Sequence, residues 1–214
     1  MIKIKRWVFN PFQENTYLLY NEQKDAFLID PGCYEDHEKQ QLKSAIEEEG
    51  FQLKAIINTH GHVDHVLGNA YVHSTFQVPV WLHQEDAPLL DNAPQMGVAF
   101  GFAMEISPKA DEFLAHGDKL LLGEDTVEVL HVPGHSRGSI ALYVPESDFV
   151  VVGDLLFQAS VGRTDLPGGN QHDLIDSIHK HILTLPEDTV VFPGHGPETS
   201  VAFEKANNPF LQRA

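Results

Sequence analysis

The chain has 214 residues, 14 of them basic and 31 acidic, for a formal charge of −17 at neutral pH. That length fits one domain over residues 1–214 with a sizeable core of its own, and the acidity opposes binding to nucleic-acid backbones, which requires basic patches. The one cysteine, Cys33, excludes an intramolecular disulfide framework, and no apolar run reaches the roughly 18 residues of a membrane span, so a soluble cytoplasmic protein is expected.

The first six residues alternate charged and apolar side chains, unlike a secretory signal. The first third reads as a strand meander: 2–8 alternates, 15–20 is rich in Thr, Tyr and Leu, and 26–30 is a short apolar run stopping at Pro31-Gly32. A helix over 36–49 follows, closed by Gly50, with the narrow apolar stripe Leu42, Ala45 and Ile46 of an outer helix. Residues 53–58 are almost continuously apolar, as in a strand covered on both faces; a helix over 66–75 and a strand over 78–82 complete a βαβ unit. The segment 94–104 is apolar, glycine-containing and aperiodic. It reads as a core-covering excursion, with a lip over the site or a subunit contact as the alternative. Further strands are expected at 119–122, 126–131, 139–144, 149–152 and 189–192. Between the last two lies a helix over 173–185, with Leu174, Ile178, Ile182 and Leu185 on one face and Pro186 beyond. Many strands with a few outer helices predict an α/β or α+β layered fold.

The chemistry-bearing residues gather where these apolar strands stop. Thr59-His60-Gly61-His62-Val63-Asp64-His65 begins as the 53–58 strand ends. In extended chain His60 and His62 project to one side, because side-chain direction has a period of two, and two imidazoles so placed can chelate one cation. Asp64 and His65, at the turn into the next helix, can reach a second cation beside it; zinc and similar metals favour such nitrogen and carboxylate sets. His179-Lys180-His181 has the same spacing but lies on a predicted helix, where residues two apart diverge, so it is not read as a ligand pair. Three more strands end in a glycine turn carrying one strong ligand: Pro133-Gly134-His135, Gly153-Asp154 and Pro193-Gly194-His195-Gly196. Strand C-termini converge on one sheet edge, where open α/β folds place their sites. Five histidines and two aspartates therefore predict a metal centre: His60, His62, Asp64, His65, His135, Asp154 and His195.

Taken in order, these motifs resemble the five-part signature of the metallo-β-lactamase-fold hydrolases. Asn15-Thr16-Tyr17, Asp30-Pro31-Gly32 and Asn207-Asn208-Pro209-Phe210 extend the resemblance along the chain. Gly153-Asp154-Leu155-Leu156-Phe157, followed by Gly162-Arg163-Thr164-Asp165-Leu166-Pro167-Gly168-Gly169, looks like the glyoxalase II-like, single-domain thioesterase branch. The resemblance implies an αββα sandwich of two mixed sheets with helices outside. It also implies two divalent metal ions, zinc first, with iron or manganese accepted by the same ligands. His60, His62 and His135 would hold one and Asp64, His65 and His195 the other, with Asp154 bridging both. The implied reaction is attack by a metal-bridging hydroxide on a small-molecule thioester or ester, Asp64 orienting the nucleophile or its proton as well as binding metal. Arg163 and Asp165 are candidate substrate contacts, against the simpler reading of a salt bridge that pins their loop.

Fold does not fix function here, and two readings compete on the same ligands. One is a persulfide dioxygenase whose single iron takes His60, His135 and Asp154; the other is a lactonase on the dinuclear centre. Val161 and the run Leu166-Pro167-Gly168-Gly169 look more like the thioesterase branch. Two-domain glyoxalase II enzymes resemble this sequence only to about Asn208 and continue into a helical domain that grips glutathione, so glutathione recognition by that route is not expected and S-lactoylglutathione is a substrate by kinship. Neither a membrane nor a nucleic acid is an expected partner, and a monomer and a homodimer both fit. Cys33 reads as a buried thiol, and His37, His73, His83, His116, His131 and His172 as surface or supporting groups.

Overall fold

The computed structural model describes residues 1–212. Their first sheet holds β1 (Lys3–Phe9), β2 (Glu14–Tyr20), β3 (Asp25–Ile29), β4 (Gln52–Ile57), β5 (Val80–Leu82) and β6 (Glu112–Phe113), in that order across the sheet. The strands β1 to β3 form an antiparallel meander, and β3 to β6 run parallel. The second sheet starts with β7 (Lys119–Leu122), β8 (Asp125–His131), β9 (Ile140–Val144) and β10 (Phe149–Gly153). A small hairpin of β11 (Leu156–Phe157) and β12 (Ser160–Val161) stands apart; β13 (Val190–Pro193) then joins β10 in parallel, and β14 (Thr199–Ser200) closes the edge. Helices α1 (Asp36–Glu49), α2 (Val63–Val66), α3 (Asn69–Phe76) and α4 (Ala87–Ala99) follow strands of the first sheet. Helices α5 (Gln171–Ser177) and α6 (Val201–Asn207) belong to the second. The result is the expected αββα sandwich with two mixed sheets.

Alternation of side chains along the strands explains the layers. Leu18, Leu28 and Ile56 face outward onto Leu42, Ile46, Val66, Val72 and Leu90 of the helices. Their neighbours Tyr17, Leu19, Phe27, Ile29 and Ile57 face inward onto Val127, Val129, Ile140, Leu142 and Val151 of the second sheet. On its far side Ala141, Val150 and Val152 meet Leu174, Ile178, Ile182 and Val201. Both sheets are thus covered on two faces, which is why 55–57 and 149–152 are continuous apolar runs. Helix α1 has the predicted bounds: Glu35 and Glu38 form a reciprocal cap at its start, and Gly50 ends it at φ 71°.

Three expectations need correction. The helix after β4 starts at Val63 rather than 66 and breaks at Gly68, whose N–H donates to Pro31 O at 2.7 Å. A Cβ at Gly68 would strike Cys33 Sγ, so this break comes from a tertiary contact. The late helix starts at Gln171, where the Asn170 side chain accepts from His172 N at 2.9 Å, and after Ser177 it loosens into a π-helical turn over Ile178–Ile182. The largest difference is α4, which runs through Pro94 where the sequence showed no helical period. An interior proline removes one helical hydrogen bond and disguises the pattern. Leu90, Ala93 and Gly97 of α4 are buried against the core, and Met96 and the following Phe100 line the cleft before the candidate site. The excursion and lip readings of 94–104 each describe one face of this element.

The two sheets are stitched together at one end. Ile140 N–H donates to Thr59 O at 2.8 Å and Asn15 N–H to Gly194 O at 2.7 Å, so the C-terminal ends of β4, β8, β10 and β13 meet on one rim. No helix among the described residues is long and apolar enough to cross a membrane.

Candidate metal centre

All seven strand-end residues converge on that rim. His60 and His62 follow β4, Asp64 and His65 lie on α2, and His135, Asp154 and His195 follow β8, β10 and β13. His62 Nδ1 is 2.8 Å from His135 Nε2, and the His60 ring centre is 4.8 Å from each of their ring centres. Asp64 Oδ2 is 3.1 Å from His195 Nε2 and 3.7 Å from His65 Nε2. His60, His62 and His135 form one triple of mutually close ligand atoms, and Asp64, His65 and His195 form another. Asp154 sits between them: Oδ1 is 3.4 Å from His65 Nε2, and Oδ2 is 3.7 Å from His135 Nε2 and 3.6 Å from His195 Nε2. A Cβ at Gly194 would run into the Asp154 carboxylate and the His65 ring, which explains the glycine of the Pro-Gly-His turn.

Four of the imidazoles are held from behind through Nδ1. His60 pairs with Thr59 Oγ1 at 3.1 Å, His65 with Asp30 Oδ2 at 3.0 Å, His135 with Arg163 O at 2.8 Å and His195 with Phe12 O at 3.0 Å. In each ring this turns Nε2 toward the other ligand-type side chains, where it can act as a ligand. His60 Nε2, His62 Nε2, His65 Nε2 and Asp154 Oδ1 are buried without a hydrogen-bond partner among the described residues. Each orphaned buried polar group costs roughly 1–3 kcal/mol, so four at one spot call for a shared partner. Nitrogen and carboxylate donors in this arrangement fit divalent cations.

Electrostatics agrees with that fit. Burial and the neighbouring histidines push His60 well below the ordinary histidine range and His62 down to about 4, so both rings are neutral and ready to bind. Burial opposes a charge on His65, yet Asp154 and Asp64 beside it raise it well above that range. His195 is raised too, by its bond to Asp64 against the effect of burial. Burial likewise works against ionised Asp64 and Asp154, but His65 and His195 hold both below the usual carboxylate range. A cation entering the second triple must therefore displace protons. Calorimetric zinc titrations of the metal-free protein at pH 7, in buffers of different ionisation enthalpy, are expected to report proton release and an affinity that climbs with pH. A buffer-independent enthalpy would show His65 already neutral. The linked stability has a fixed sign: with its folded value raised, His65 stabilises the metal-free fold fully below about pH 6.5, and the benefit fades as pH rises through the folded value.

Two aspartates that the sequence reading passed over hold this centre in place. Asp30 Oδ1 accepts from Thr59 N–H at 2.7 Å; Oδ2 accepts from Thr59 Oγ1 at 2.6 Å and faces His65 Nδ1. Asp30 lies within ligand reach of His60 and His65, but its oxygens are already occupied, so it acts as a holder of His65. Its signal was present in the sequence, an aspartate where an apolar strand ends, the pattern that marks Asp154. Asp30→Asn is expected to weaken metal binding at the second triple by about 10–100-fold in equilibrium dialysis. Unchanged affinity would mean that packing alone orients His65. Asp86, fully buried, accepts from Gly61 N–H (2.9 Å), Ser136 Oγ (2.7 Å) and Gly138 N–H (2.6 Å), joining the loop of His60 and His62 to that of His135.

The remaining expectations divide. Arg163 lines the cleft, and Asp165 binds its guanidinium through two 2.7 Å hydrogen bonds, the salt bridge of the simpler reading. His179 and His181 lie on the late helix, outside the cluster. Cys33 is buried, with burial pushing its thiol up to about 12.

The family model of the metallo-beta-lactamase superfamily matches residues 9–195. The chain belongs to that superfamily. A Bacillus subtilis protein described as a "probable metallo-hydrolase" is 41% identical over 98% of both chains. The hydroxyacylglutathione hydrolase GloC of Haemophilus influenzae is 37% identical over 94% of this chain and 93% of its own. Among solved structures, the BLEG-1 B3 metallo-beta-lactamase superposes with a TM-score of 0.91 at 38% identity, covering 99% of this chain and 100% of that one. TTHA1623, solved in a di-iron-bound form, gives 0.87 at 40% identity over 97% and 100%. The superfamily fold binds divalent metals, in agreement with the donor set gathered at the rim.

Proposed function

We propose that the protein is a thioesterase of the glyoxalase II type with a dinuclear metal centre. The completeness of both triples around Asp154 carries the dinuclear part of this reading. A single iron on His60, His135 and Asp154 would leave Asp64, His65 and His195 a second close-set ligand group with no cation. The likeness to GloC adds support. His60, His62 and His135 would hold one cation, Asp64, His65 and His195 the other, and Asp154 would serve both. Cations held there supply Lewis-acid polarisation of a carbonyl and lower the pKa of water from about 15.7 to about 7.

The chain's own groups do the rest. His62 and Asp64 line the cleft, so the scissile carbonyl enters from the α4 side. Asp64, fixed by His195 at 3.1 Å, is the carboxylate placed to steer the attacking water and accept its proton. Water adds across the acyl C–S bond to give a carboxylate and a thiol. A thiol with pKa near 8.5 leaves as thiolate without a strong general acid.

The test is turnover of metal-loaded protein on S-lactoylglutathione, a γ-lactone, a β-lactam and glutathione persulfide. Thioester cleavage at least tenfold above the lactone and β-lactam is expected. Oxygen uptake on the persulfide with one iron per chain would overturn the reading, as would preferred cleavage of the lactone or the β-lactam.

A further inference from the structure

The cleft before the seven residues encloses about 580 Å³, and its chemistry is one-sided. Its floor is polar, made of ligand-type side chains. Its walls are Phe12, Leu89, Met96, Phe100, Leu166 and Pro167, and α4 adds the neutral Asn92 and Gln95. Three wall residues face water: Phe12 is 43% exposed, Met96 41% and Phe100 51%. Phe12 and Phe100 are nonetheless held by packing. The Phe12 ring meets Phe100 edge-on at 5.6 Å and lies 5.6 Å from Phe102, which stands edge-on to Tyr34 at 5.0 Å. The carbonyl of Phe12 also accepts from His195 Nδ1, so this aromatic wall is tied directly to the candidate metal centre.

Charge points the same way. Arg163 is the one lysine or arginine among the described residues lining the cleft, and Asp165 already binds its guanidinium. A glutathione conjugate brings two carboxylates, and in a chain of net charge −17 the described residues of these walls offer them no cation outside that ion pair. We propose that the acyl group of the substrate is a medium-length hydrocarbon chain lying along α4 between Phe12, Met96 and Phe100. This rests on the thioesterase reading and names the substrate class within it.

The experiment uses metal-loaded protein and S-acyl-N-acetylcysteamine thioesters from acetyl to octanoyl, with S-lactoylglutathione alongside. The value of kcat/KM is expected to rise about two- to fourfold per methylene through hexanoyl, as burial of each methylene predicts. Hexanoyl should exceed S-lactoylglutathione by about tenfold or more, and Phe100→Ala and Met96→Ala should each cut the hexanoyl-to-acetyl ratio about fivefold. A flat series, or S-lactoylglutathione preferred over every acyl ester, overturns the inference and leaves the thioesterase reading standing. If no thioester is cleaved, that reading falls, and calorimetry with the free acids decides the inference separately. Hexanoate binding about tenfold tighter than acetate, with the gain lost in Phe100→Ala, upholds the apolar subsite; equal binding of the two acids overturns it.

Discussion

An Asp154→Ala variant is expected to hold at most one metal per chain and to lose about 10³-fold or more in kcat on a thioester, more than the 10²–10³ typical of deleting one preorganised electrostatic group. Asp154 stands between the two triples, reaching His65 at 3.4 Å, His195 at 3.6 Å and His135 at 3.7 Å. Two dications carry four positive charges, and Asp64 and Asp154 are the two carboxylates of the set. Without Asp154 two dications would have only Asp64, a member of the second triple, to offset their charge, in a site where burial weakens screening. Asp154→Asn keeps the volume and removes the charge, so a loss of similar size would assign the effect to charge. Metal analysis paired with steady-state kinetics reads both outcomes. Two metals retained at near-normal kcat would mean that the centre does not depend on a bridging carboxylate.

Asp86→Ala is expected to cost about 3–5 kcal/mol of stability in the metal-free protein, in the range for removing one partner from a buried charged network. Its carboxylate takes three hydrogen bonds from Gly61, Ser136 and Gly138, all in the buried joint between two ligand loops. Truncation strands the N–H groups of Gly61 and Gly138, each worth roughly 1–3 kcal/mol when orphaned, and leaves a cavity besides, while the Ser136 hydroxyl keeps Ser139 Oγ at 2.7 Å. For a chain of this size the Tm should fall by about 10 °C. Urea unfolding of wild type, Asp86→Ala and Asp86→Asn would separate the terms, because asparagine keeps one acceptor oxygen and should fall between them. A loss under about 1 kcal/mol for alanine would show that the joint is held by other contacts. The loops of His62 and His135 should also lose register, so affinity at the first triple should drop in the same variant.

What could be read from the sequence was local in origin. A strand buried on both faces is a nearly continuous apolar run, and the ligand-type residues sit in turns just after strands end; that placement picked out His60, His62, His135, Asp154 and His195. The same rule set aside His179 and His181, whose spacing falls on a helix. What escaped depends on contacts between distant segments. Asp86 has no patterned neighbour, and its partners lie 25, 50 and 52 residues away. Asp30 does stand where an apolar run stops, but its role as the holder of His65 rests on contacts 29 and 35 residues along the chain, with Thr59 and His65. Helix α4 escaped because Pro94 interrupts its period, and the break at Gly68 because only the packed fold brings Cys33 beside it. The aromatic wall of the cleft likewise joins Phe12 from the β1–β2 turn to Phe100 at the end of α4.

Counting metal ions per chain tests the dinuclear centre most directly. Protein loaded with zinc, dialysed free of excess and analysed by elemental mass spectrometry is expected to retain two ions, with His195→Ala and His62→Ala each retaining about one. One ion in the wild type, unaffected by removing Asp64, His65 or His195, would contradict the seven-residue dinuclear centre.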